Sequence, residues 1–118
     1  MNMHSFDPAT LISSLSGYGL SWIDVQPDLR ELRLQFIASP REPSYVIHFF
    51  GVSKASFILL PGDEPPYTVA DAFLTNGSEP MDSDTAIPLV FHVEGEAIVD
   101  VVCRNCTVYT RQPCAGTY

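Results

Sequence analysis

From Tyr18 onward the apolar residues recur at every second position in short runs, and nearly every run is stopped by proline or glycine. A period of two belongs to strands, whose successive side chains point to opposite faces. No helical pattern lies between the runs to carry the chain back across a sheet, so parallel βαβ units are excluded. Strands joined this closely pair in antiparallel order.

Residues 18–25 alternate loosely and end at a Pro27-Asp28 turn. Residues 29–38 form a clean strand, with Leu32, Leu34 and Phe36 on one face and Glu31, Arg33 and Gln35 on the other. After the two prolines of residues 39–43, the segment 45–50 is apolar at nearly every position, as expected of a strand buried on both faces. Gly51 marks a bend or bulge, residues 52–60 are a further strand stopped by the turn 61–66, and 67–74 is another. Residues 87–93 and 97–103 flank Glu94-Gly95-Glu96, a hairpin connection in which the glycine supplies positive φ. Pro88 puts the first of these on an edge or at a strand start, and 106–110 closes the series.

Before the strands, residues 7–16 read as one short helix. Asp7 is placed to cap it, Pro8 suits the first helical position, Leu11, Ile12 and Leu15 share a stripe, and Gly17 serves as the stop. The expected architecture is a single mainly-β domain spanning residues 1–118, at the border of the α+β class. Its antiparallel meander, 18–110, curls into a barrel or a two-layer sandwich. Residues 75–85 are read as a long acidic loop and 112–118 as a tail.

The charge is polarised along the chain. Residues 1–54 carry a net charge of −1, residues 55–103 carry −9 with no lysine or arginine at all, and residues 104–118 carry +2. A field of that sign repels phosphate backbones and anionic headgroups and attracts basic protein surfaces. Nucleic acid and membranes are therefore not expected partners, while a basic protein is. Arg30 and Arg33 fall on opposite faces of a strand, and Arg41, Lys54, Arg104 and Arg111 are scattered, so no basic stripe forms. The longest apolar stretches, 46–52 and 57–60, have strand length rather than the ~20 residues of a membrane-spanning helix. The first residues lack the basic and apolar regions of a secretory signal, so a cytoplasmic location is expected. The three cysteines then read as reduced thiols.

Three constellations invite a chemical reading. Cys103-Arg104-Asn105-Cys106, with Cys114 beyond, offers thiolates to zinc but needs an imidazole such as His48 or His92 to complete four ligands. Strand parity points Cys103 and Cys106 to opposite faces unless Arg104 and Asn105 make a turn. The flanking β-branched residues also argue against the helix N-terminus that activates redox CxxC thiolates. His48, His92 and Glu94 would form a metal site if their strands were neighbours, since His92 and Glu94 share a face. Otherwise each is an imidazole on the less buried face of its strand or hydrogen-bonded at its edge. Glu79, Asp82 and Asp84 match a calcium loop in charge but lack the remaining ligands and the glycine that such a loop requires. No nucleophile can be paired with a base, no phosphate-binding loop is present, and no cofactor is implied, so an enzyme is the minority reading.

The order of a short capped helix, Leu32-x-Leu34-x-Phe36, a proline turn, Tyr45-x-Ile47-x-Phe49-x-Gly51-Val52, an acidic loop and Ile98-x-Asp100-x-Val102 resembles a broad group of small acidic bacterial β-rich domains. Some of these are similar to immunity proteins that neutralise toxins. The resemblance covers residues 29–110. It implies an acidic face that occupies a basic toxin site, with Asp63, Glu64, Asp82 and Asp84 as contacts.

The leading expectation is thus a non-catalytic protein-binding module that uses the acidic central region. The alternatives are a small metal-binding protein or metalloenzyme using His48, His92 and Glu94 or the cysteines, and a structural homodimer joined through an exposed strand edge.

Overall fold

The structure is a computed structural model, and it describes residues 7–39, 41–59, 64–76 and 88–111. Within these the chain forms α1 (Pro8–Ser13) followed by β1 (Gly19–Gln26), β2 (Glu31–Ile37), β3 (Ser44–Phe50), β4 (Lys54–Leu59), β5 (Tyr67–Asn76), β6 (Leu89–Gly95), β7 (Ala97–Cys103) and β8 (Asn105–Arg111). A one-turn 3-10 helix, Pro27–Leu29, joins β1 to β2 and ends at Arg30 in the left-handed region, φ 53°. No helix among the described residues is long and apolar enough to cross a membrane.

All strands pair antiparallel in the order β4-β7-β6-β5-β1-β2-β3-β8, and the sheet does not close into a barrel. It folds over on itself instead. The rings of Phe36 on β2 and Phe49 on β3 pack against Phe91 on β6, at centroid separations of 6.4 and 4.9 Å, although neither β2 nor β3 is hydrogen-bonded to β6. One layer is therefore β1-β2-β3-β8 and the other β5-β6-β7-β4. Leu32, Leu34, Ile47, Val93, Val99 and Val101 fill the space between them, each at most 1% exposed. Burying one such side chain contributes about 1.5–3 kcal/mol, so this interior outweighs local preferences in holding the strands together.

The layers are joined by two long bent strands. Residues 44–59 and 97–111 run side by side through β3 and β4 on one chain segment and β7 and β8 on the other. Both pass from layer to layer at one corner, where Arg104 N donates to Phe50 O (3.0 Å) and Ser53 N donates to Val102 O (2.9 Å). Three residues, 51–53, lie between β3 and β4, whereas Arg104 alone lies between β7 and β8. The unequal count bends the ladder as a bulge does.

Two further bulges explain why alternation in the sequence is loose. In β1 the register shifts between Leu20 and Trp22, so Leu20, Ile23 and Val25 take the inner face and Trp22 and Asp24 the outer one. In β5 the shift between Val69 and Asp71 puts Val69, Ala72 and Leu74 on the same side. Helix α1 lies against β5 and β8, and Ile12 and Leu15 bury completely there. It is shorter than the 7–16 expected. Asp7 accepts a hydrogen bond from the Thr10 hydroxyl at 2.5 Å and makes no side-chain bond to a helix N–H, and Ser14 ends the helix before Gly17.

The segment 45–50 is not buried evenly on both faces. Val46 is covered on the outer side at 1% exposure, but His48 and Phe50 beside it remain half-buried. Thr75 and Asn76, expected in the acidic loop, extend β5 through their pairing with Val90 and Leu89.

Candidate functional site

The outer face of the second layer is built by register. Three carboxylates and a histidine alternate with inward apolar neighbours: Asp71 on β5, His92 and Glu94 on β6, and Asp100 on β7. Antiparallel pairing sets Asp71 opposite Glu94, Phe73 opposite His92, and His92 opposite Asp100. Residues directly opposite on one face interact as a unit.

His92 lies at the centre. Its Nδ1 donates to Asp100 Oδ1 at 2.6 Å, and its Nε2 donates to Glu94 Oε1 at 3.0 Å. A neutral imidazole has one donor and one acceptor, so only the protonated ring satisfies both contacts. The Asp100 hydrogen bond, aided by Glu94, raises the pKa of His92 above its ordinary value against the opposing effect of partial burial. The ring also lies against Phe73, with centroids 5.1 Å apart. In that protonated form both ring nitrogens are donors, which leaves no lone pair to accept a proton or ligate a metal.

His48 is placed differently. It faces outward from the first layer, where Nε2 lies 2.8 Å from Glu31 Oε1 and the ring stacks on Phe50 at 4.0 Å. The two histidines thus leave the core from different layers, on strands that are not neighbours. The structure brings Glu94 to His92 and does not bring His48 to either. Among the described residues no group of three or more His, Cys, Asp or Glu side chains is arranged to hold a metal ion.

The cysteine pair departs from strand parity. Cys103 and Cys106 both point into the core, at 0% and 5% exposure, because the chain changes layers at Arg104 between them. Both are free thiols. Burial, reinforced by the neighbouring Cys106, pushes the Cys103 thiol up to about 12, and burial alone pushes Cys106 up to about 11. Thiols held this far from ionisation are poor nucleophiles. Cys114 lies outside the described residues.

Of the residues expected to contact a partner, Glu64 is exposed just before β5, whereas Asp63, Asp82 and Asp84 lie outside the described residues. Glu79, of the calcium-loop reading, does too. The residues that sequence reasoning missed are Asp71, Phe73 and Asp100. Each is outward-facing by parity, but the placing of Phe73 and Asp100 against His92 and of Asp71 opposite Glu94 depends on which strands pair and in what register, and no local signal carries that.

No protein-family model matches the chain, and no curated protein is similar to it in sequence.

Proposed function

We propose that the chain is a non-catalytic protein-binding domain that takes a basic partner on the outer face of β5-β6-β7-β4. The observation that carries this reading is the composition of that face. Asp71, Glu94 and Asp100 share this face with an exposed aromatic ring, Phe73, 40% accessible, and with Ile58 on β4, 53% accessible. Anionic groups around accessible apolar side chains suit a partner surface of lysine or arginine with an apolar centre. When protonated, His92 offsets one charge and donates to both Glu94 and Asp100. In sequence, β5 runs between the segments carrying Asp63 and Glu64 on one side and Asp82 and Asp84 on the other, which extend the acidic character of this region. An immunity-type role is the case in which the basic partner is a toxin.

The test is capture by immobilised protein, wild type against the double variant Asp71→Lys, Glu94→Lys, from one lysate at low and high salt. A basic protein retained by the wild type, released as salt rises and absent from the variant is the expected result. Identical retention by both proteins would count against the acidic face.

A further inference from the structure

The sheet is open between β1 and β4. Among the described residues strand β4 pairs with β7 alone, which leaves its other edge without a described partner along Lys54–Leu59. Strand β1 pairs with β2 along its length but with β5 at Gly19 and Leu20, so among the described residues its other edge has no partner from Ser21 to Gln26. The two free edges border the same space. A cavity of about 190 Å³ is lined by Leu20, Trp22 and Ile23 of β1, by Leu59 of β4, and by Tyr67. A second, of about 230 Å³, is lined by Val25, Arg30 and Leu32 on one side and by Val52 and Lys54 on the other. A single backbone bond, Val52 N to Arg30 O at 2.8 Å, closes the end beyond β4.

We infer that this slot receives an extended peptide of another protein, inserted as a strand between β1 and β4, with a carboxylate held by Arg30 and Lys54. Two facing strand edges present alternating N–H and C=O groups, and the group that satisfies both at once is a polypeptide strand. The slot offers about six residues of edge, roughly 20 Å of strand. Its inner surface is apolar: Val25 and Leu59 are 48% and 42% accessible although both face inward by register. Side chains alternating along an inserted strand would cover them.

Charge selects the peptide. In a chain of net charge −8, the wider cavity holds two exposed cations, and neither Arg30 nor Lys54 makes an ion pair among the described residues. Among the described residues lining that cavity the carboxylate is Glu31, and it is bonded to His48. The occupant is therefore apolar with an acidic end, unlike the basic partner proposed for the outer face of β5-β6-β7-β4. A second copy of this acidic chain is the less suitable occupant, because bringing two such charges together is unfavourable.

The test is selection from a library of random heptapeptides with free C-terminal carboxylates, read by the emission of Trp22, the single tryptophan, which lines the narrower cavity. Selected peptides should alternate apolar residues, shift the emission saturably, and bind about tenfold more weakly when the carboxylate is amidated. Arg30→Gln with Lys54→Gln, both at exposed positions, should abolish the difference between acid and amide while leaving circular dichroism unchanged. Leu59→Lys should abolish binding of every selected peptide. Four results would overturn the proposal: no enrichment over selection on the Leu59→Lys variant, enrichment of basic peptides, equal affinity for acid and amide forms, or a Trp22 shift that follows protein concentration without peptide.

Discussion

Gly51 and Arg104 face each other at the corner where both long strands change layers. Gly51 has φ +62°, and a Cβ placed on it would lie 2.9 Å from Arg104 Cγ. Only glycine takes that backbone conformation without strain, and it also leaves room for the arginine stem. Gly51→Ala is expected to destabilise the domain by about 1–2 kcal/mol from backbone strain alone. Gly95→Ala should cost more, roughly 3 kcal/mol or above, because its Cβ would meet the backbone of Thr68 and Ala70 rather than a side chain able to swing away. Urea denaturation of the two variants against the wild type gives the order; equal losses would mean that the β5–β6 bulge adapts.

The His92 bridge makes stability depend on pH. Its pKa is raised in the folded protein, so the stabilisation is fully present below the unfolded value of about 6.5 and is lost as pH rises through the higher folded value. Wild type should lose stability over that interval and His92→Asn should not. Imidazole proton resonances followed by NMR should titrate above the ordinary histidine range. A His92 midpoint at or below that range would show that the two carboxylates do not stabilise the cation.

Cys103 and Cys106 should resist iodoacetamide in the native protein and react once it is unfolded, because buried thiols near 12 and 11 present almost no thiolate at neutral pH. Peptide mapping after alkylation reads the two sites separately. Rapid native labelling of either would show that the corner opens.

Phe73 on β5 and Phe91 on β6 lie on opposite faces of two paired strands, one register position apart, and their truncations should differ sharply. Phe91 is fully buried against Phe36 and Phe49, so Phe91→Ala should cost about 3–5 kcal/mol. Phe73→Ala, on the exposed face beside His92, should stay within about 1 kcal/mol and act on partner capture instead. Thermal unfolding and the capture assay separate the two effects. A large stability loss at Phe73 would make that ring structural.

Local chemistry by itself determined much of this protein. The alternation of Leu32, Leu34 and Phe36, the prolines and glycines between runs and the Asp7-Pro8 start specify a chain of antiparallel strands after one helix, because each rests on periodicity or on the φ preferences of single residues. Only the tertiary structure decided the surfaces. The corner at Arg104 turned both cysteines inward, and bulges near Ser21 and Ala70 reset the parity of Ile23 and Ala72. Pairing of β5, β6 and β7 brought Phe73, Glu94 and Asp100 to His92, set Asp71 opposite Glu94, and left His48 in the other layer. A one-residue register change moves every later side chain to the opposite face, and register follows from burial across the whole sheet, a property that no short stretch of sequence contains.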